Sequence, residues 1–234
     1  MSVDRHILEH DEVDLDAHVA LIAEEFRMGF EAVEKVPRPA VTVFGSARIR
    51  PDSAEYEHAR ACGRALAEAG FAVVTGGGPG VMEAANRGTK EGGGYSVGFN
   101  IALPHEQQAN PYIDLGVTFR HFYARKVALV KAAEGFILFP GGFGTLDELF
   151  ESLTLIQTDK VRQFPVVLVG RPYWRDLLDW IADEPLAAGM ISPEDVDLLH
   201  VTDDVAEAVG LVRDCWERSC ADTPVHEPEK ADAQ

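Results

Sequence analysis

The stretch Gly135-Phe136-Ile137-Leu138-Phe139-Pro140-Gly141-Gly142-Phe143-Gly144-Thr145-Leu146-Asp147-Glu148 changes character twice. Residues 135–139 form a short apolar run, which reads as a strand buried on both faces. Pro140 to Thr145 is a glycine turn, and a helix is predicted over roughly 145–157. A strand running through glycines into a helix N-terminus suits an anion, because the first helical amides lack internal acceptors and the helix dipole is positive there. Thr145 can cap the helix and offer its hydroxyl to a phosphate. A capping box from Thr145 to Glu148 would explain the same two residues with no ligand at all.

Upstream, the arrangement repeats. Residues 71–75 (FAVVT) read as a strand and run into Thr75-Gly76-Gly77-Gly78-Pro79-Gly80-Val81-Met82-Glu83-Ala84, with a helix from about Val81 to Lys90. The consecutive glycines permit close backbone approach to a ligand, although a plain strand–helix turn reads the same way. A dinucleotide fingerprint does not fit, because Val81 falls where its last glycine would be. At the end of a first strand, Ala40–Gly45, the run Phe44-Gly45-Ser46-Ala47-Arg48 brings Gly45 and Ser46 to the same crevice, or simply makes a turn. Arg125-Lys126 lies on a helix predicted over 121–133; its plain reading is a solvated basic pair.

Further strands are expected at 95–99, 116–119, 165–170 and 199–202, and helices at 53–69, 173–184 and 203–219. Residues 100–114 read as a long polar loop. Uniformly apolar strands alternating with helices give the fold class: α/β, a Rossmann-like doubly wound parallel sheet with helices on both faces. Ligands of such sheets bind beyond the C-terminal strand ends, where both glycine clusters fall. Residues 1–39 form an N-terminal extension whose amphipathic helix, 15–33, is ended by Pro37 and Pro39. The Rossmann-like domain runs 40–220, and 221–234 reads as a disordered tail.

The chain has 234 residues, 46% of them hydrophobic, and a net charge of −18. That length suits one domain. The charge argues against nucleic acid as a partner but leaves room for a small phosphorylated ligand held by backbone amides. No run is long and apolar enough for a membrane span, and the acidic N-terminus lacks the regions of a signal peptide, so a cytoplasmic location is expected. Cys62, Cys215 and Cys220 form no CxxC pair and read as reduced thiols. His105, His121 and His200 lack metal-ligand spacing, so no metal is expected, and GxSxG and Walker A sequences are absent.

Pro140 to Glu148 reads PGGxGTxxE, Gly77 to Met82 reads GGxxGxM, and Arg125-Lys126 gives an RK pair. With the segment 100–107 and Asn110-Pro111-Tyr112, these motifs, in this order, resemble the Lonely Guy (LOG) family, the cytokinin riboside 5′-monophosphate phosphoribohydrolases, formerly labelled lysine decarboxylase-like. The resemblance runs from about Val41 to about Trp180 and on toward the last helix, and with its N-terminal helix the chain looks like the longer members. It implies a catalytic pair, Arg125 and Glu148, and nucleotide phosphate contacts from Gly142, Gly144 and Thr145, with Gly78 and Gly80. Gly45, Ser46, Glu83, Lys126 and Gly141 complete the expected site, and His105 and Glu106 are candidates for substrate contact. The decarboxylase label finds no support, because nothing marks a lysine for a pyridoxal phosphate Schiff base; no cofactor is expected.

The implied reaction splits the N-glycosidic bond of a nucleoside 5′-monophosphate, releasing free base and ribose 5-phosphate. A carboxylate near C1′ would stabilise oxocarbenium character, and Arg125 would hold it ionised. The family likeness also implies a homodimer or larger homo-oligomer. Val19, Phe26 and Phe30 would serve that contact, or else pack on their own domain. Three alternatives stand beside this reading: a general AMP or purine-nucleotide nucleosidase, a non-catalytic nucleotide or molybdenum-cofactor carrier on the same fold, and an interaction protein acting through its N-terminal helix.

Overall fold

The structure is a computed structural model, which describes residues 14–36, 39–103, 108–161 and 164–222. The elements are, in order, α1 (Leu15–Glu34), β1 (Ala40–Phe44), α2 (Ala54–Glu68), β2 (Ala72–Thr75), α3 (Val81–Glu91), β3 (Ser96–Ile101), β4 (Leu115–Phe119), α4 (Phe122–Lys131), β5 (Ala133–Leu138), α5 (Phe143–Gln157), β6 (Val166–Val169), α6 (Arg171–Ile181), α7 (Pro193–Val196), β7 (Leu199–Thr202) and α8 (Val205–Asp222). The seven strands form one sheet in the order β4-β3-β2-β1-β5-β6-β7. Every pairing is parallel.

Two cores sandwich that sheet, and the strands feed both by simple alternation. Phe44, Phe136, Leu138, Val166 and Leu168 pack with Leu129 of α4, Leu149 of α5 and Trp174 of α6. Their neighbours Val41, Val43, Ile137, Phe139 and Val167 face Leu66 of α2, Val81 of α3 and Val212 of α8. Covering both faces is why the strands read as unbroken apolar runs. Each fully buried Phe or Leu contributes on the order of 1.5–3 kcal/mol. Polar groups on these faces are satisfied: Thr42 donates to Leu129 O at 3.1 Å and Trp174 Nε1 to Val169 O at 3.0 Å.

Local chemistry sets the helix starts. Asp14 accepts from Ala17 N at 3.2 Å at the head of α1, and Ser53 accepts from Tyr56 N at 3.2 Å at the head of α2. The expected long polar stretch begins later than the sequence suggested, because Asn100 and Ile101 extend β3 alongside β4. Helix α6 starts at Arg171 and passes into a π-helical turn over Ala182–Leu186. The short α7 was not expected from the sequence. Helix α1 ends at Glu34, ahead of Pro37, which lies outside the described residues, as do 104–107 with His105 and Glu106, and the tail beyond Asp222.

The N-terminal helix lies against α4 and β4. Gly29 sits so close that a Cβ there would stand 3.1 Å from the Phe119 ring and 3.2 Å from Ala128. Phe26 packs on the core and Phe30 lies under the Lys131 ammonium, whereas Val19 is 53% exposed.

Candidate active site

The strand order reverses direction between β1 and β5, and a cleft of about 810 Å³ opens beyond their C-terminal ends. This is the switch point where open α/β sheets bind ligands. The cleft is built from the segment after β1 (44–49), the turn after β5 (140–142) and the first turns of α5. Backbone bonds lock these segments together: Phe139 N donates to Phe44 O at 2.9 Å, Ser46 N to Pro140 O at 3.0 Å and Val81 N to Ser46 O at 3.1 Å.

Helix α5 begins earlier than the sequence suggested. Its N-cap is Gly142, so Thr145 is the third helical residue and Glu148 the sixth. The anticipated capping box is therefore not formed, and the structural explanation of Glu148 falls away. Thr145 instead packs its side chain onto Gly141, where a Cβ would lie 2.0 Å from Thr145 Oγ1. The amides of Phe143 and Gly144 stand in the first helical turn without an acceptor inside the helix. Tyr173, at the head of α6, donates its hydroxyl to Gly141 O at 2.5 Å and so orients this turn.

Arg125 and Glu148 both line the cleft. The Arg125 guanidinium reaches across from α4 and donates from Nε to Phe99 O at 2.9 Å. Its tip lies over Gly76, where a Cβ would stand 2.6 Å from Nη2. Glu148 is 6% exposed. Burial pushes its carboxyl up to about 7, against the pull of Arg125 and Lys126. Burial likewise lowers Arg125 from the usual guanidinium value, opposed by Glu148 and Asp147. The expectation that Arg125 holds Glu148 ionised is thus corrected in balance: the attraction is present, but desolvation outweighs it.

The remaining expected residues divide. Gly45, Ser46, Gly141, Gly142, Gly144 and Thr145 line the cleft; Gly78, Gly80, Glu83 and Lys126 do not. Lys126 points from α4 to α5 and pairs with Asp147 and Glu151, each at 3.0 Å. Glu83 accepts from the Tyr56 hydroxyl at 3.0 Å. Gly80, at φ +69°, packs beneath Ser46 and Ala47, where a Cβ would lie 2.4 Å from Ser46 O. The carbonyl of Gly78 accepts from Asn110 Nδ2 at 3.1 Å, and that amide also reaches Asn86 Oδ1 at 2.9 Å. The first glycine turn is therefore held by buried asparagines, and only its leading residue, Gly76, reaches the cleft.

Sequence reading missed Gly76, Met82, Asn100, Phe122 and Tyr173, all of which line the cleft. Gly76 heads the glycine run and could have been found there. Tyr173 carries no local signal, since it arrives from a distant connection. Ile101, Leu103, Met82 and Phe122 add apolar side chains to the lining. Among the described residues, no group of three or more His, Cys, Asp or Glu is arranged to hold a metal ion.

Fold and cleft define a Rossmann-like α/β protein of the doubly wound class. Residues 82–212 match the family model described as "Possible lysine decarboxylase". The chain belongs to that family, which is the LOG family. It is 29% identical over 196 residues to a cytokinin riboside 5′-monophosphate phosphoribohydrolase of Rhodococcoides fascians, covering 76% of this chain and 97% of that protein. The enzyme of that name from Mycobacterium tuberculosis is 32% identical over 159 residues, 65% of this chain and 82% of that one. A probable rice phosphoribohydrolase is 33% identical over 134 residues; the match spans 56% of this chain and about half of that relative, 54%. Among solved structures, a structural-genomics target superposes with a TM-score of 0.57 at 27% identity, covering 75% of this chain and 98% of that one. A molybdenum cofactor carrier protein from Chlamydomonas reinhardtii superposes with a TM-score of 0.59 at 24% identity, covering 77% of this chain and 99% of that one. That second likeness is one of fold.

Proposed function

We propose that this protein hydrolyses the N-glycosidic bond of an N6-modified adenosine 5′-monophosphate to the free base and ribose 5-phosphate. The observation that carries the proposal is the placement of a buried carboxyl, Glu148, in one cleft with a half-buried guanidinium, Arg125, beside the open amides of a helix N-terminus. In this reading the 5′-phosphate sits at the head of α5, against Gly142, Gly144 and Thr145. Its binding energy fixes the ribose relative to Glu148. As the C1′–N bond breaks, ionised Glu148 faces the oxocarbenium-like centre and orients the attacking water, whose oxygen joins C1′ while a proton goes to the departing base nitrogen. Arg125 contacts the sugar or the leaving base. The apolar lining residues Met82, Ile101, Leu103 and Phe122 are compatible with an aliphatic N6 substituent.

A second reading, a broader purine-nucleotide nucleosidase, draws on a likeness to an Escherichia coli pyrimidine/purine nucleotide 5′-monophosphate nucleosidase, 31% identical over 126 residues, 50% of this chain but 28% of that protein. One experiment separates the readings: chromatographic detection of free base from N6-isopentenyladenosine 5′-monophosphate, from AMP and from the matching nucleoside. The proposal expects release from the isopentenyl nucleotide, little from AMP and none from the nucleoside. Equal release from both nucleotides selects the broader enzyme. No release by folded protein overturns hydrolysis and returns the carrier reading.

A second copy of this chain is the proposed cover for the rim of the cleft, where Phe143 is 92% exposed and Phe122 47%. The mass of the protein in solution tests this. Among the described residues no helix is long and apolar enough to cross a membrane.

A further inference from the structure

Helix α4 carries Arg125, yet its N-cap residue, His121, makes no side-chain cap to the helix. What meets the head of α4 is a carboxylate from α1. Glu25 is 7% exposed. It accepts from Arg120 N at 2.9 Å through Oε1 and from His121 N at 3.1 Å through Oε2. The same Oε2 lies 2.9 Å from His121 Nδ1. His18, two helical turns earlier on α1, sets its buried ring against that of His121 at 5.2 Å. A buried carboxylate at a helix N-terminus is favoured by the dipole and by the backbone donors it satisfies.

The link to the cleft is one turn long. His121, whose N–H is held by Glu25, accepts through its carbonyl from Arg125 N at 3.3 Å. Arg125 then spans to Phe99 O and lies over Gly76. We propose that Glu25 is a positioning residue for Arg125, so that the N-terminal helix is a working part of the active site. This rests on the catalytic assignment of Arg125 above. An error of an ångström in a catalytic group is enough to cost a large factor in rate.

The test is a double-mutant cycle in the full-length protein, using base release from N6-isopentenyladenosine 5′-monophosphate, together with hydrogen exchange of the amides over residues 120–125. Glu25→Ala is expected to lower kcat by roughly tenfold or more, with a much smaller change in KM, and to speed exchange over 120–125. In an Arg125→Ala background the same change should cost less than about twofold, because a residue acting through Arg125 has nothing left to position. Glu25→Gln, which keeps the volume and one acceptor oxygen, should recover part of the loss and serves if the alanine variant does not fold. Equal losses in both backgrounds, or unchanged exchange over 120–125 in a folded variant, overturn the proposal. If the unmodified protein releases no base but exchange still rises in Glu25→Ala, the catalytic reading has failed while the clamp on α4 stands.

Discussion

Arg125 and Glu148 face one cleft from two different helices, and among the described residues no ion pair within 4.0 Å joins them. They interact through charge across the cleft, each desolvated by burial. A closed salt bridge would have neutralised both groups. Held apart, each stays available to a molecule placed between them.

The roles proposed for this pair predict large and separable losses. Glu148→Gln or Arg125→Ala should lower turnover at least ~100-fold, the scale of one acid/base group. Circular dichroism and nucleotide binding should remain near those of the unmodified protein. Near-normal turnover in both variants would sink the assignment.

The elevated carboxyl of Glu148 predicts a pH dependence of rate. If ionised Glu148 is the working form, kcat/KM should rise with pH and level off with an apparent pKa near 7. The rising limb should be missing from the residual activity of Glu148→Gln. An unmodified protein with a flat profile from pH 5.5 to 8 would contradict this.

The same group predicts that the site costs stability. Its folded-state pKa, about 7, lies above the ordinary 4.5, so between these values the folded state holds a proton that the unfolded chain has lost. Stability contributed by this group is therefore full below about pH 4.5, declines as pH rises toward 7, and is gone above it. The difference is at most about 3 kcal/mol. Thermal melts should show Glu148→Gln more stable than the unmodified protein at pH 8, with the gap closing toward pH 4.5.

Neighbours in sequence should behave differently in the RK pair. Lys126 is not part of the cleft lining and pairs with Asp147 and Glu151. Lys126→Met should change kcat less than tenfold, far less than Arg125→Ala. Matching losses would mean that Lys126 enters the site during turnover.

Gly141 offers a test of the turn. A Cβ there would stand 2.0 Å from Thr145 Oγ1 and 2.6 Å from Thr145 Cβ, atoms fixed on α5. Gly141→Ala should destabilise the protein by about 1–3 kcal/mol and raise KM for the nucleotide. Unfolding and KM measurements check both.

Much of this was legible in the sequence, for reasons that particular residues make plain. Val41, Val43, Ile137 and Val167 alternate with Phe44, Phe136, Leu138 and Leu168, and only a sheet covered on both faces needs apolar residues at every step. The two glycine turns marked the strand ends, and the motif from Pro140 to Glu148 marked the cleft. Local chemistry determines such features, so they survive in one dimension.

The tertiary structure decided the rest. Arg125 and Lys126 are adjacent, but successive helical residues project about 100° apart, and the packing of α4 sends one to the cleft and the other to α5. Gly76 reaches the cleft while Gly78 and Gly80 do not, because Asn110 and the Ser46–Ala47 backbone, both distant in sequence, occupy the space around them. Glu148 titrates near neutrality because of how much of the fold lies over it, and burial is a property of the assembled molecule. Glu25, on a helix that the sequence marked only as an extension, comes to the head of α4 across more than ninety residues of chain. No periodicity or motif encodes a contact of that range; it exists only once the helices have packed.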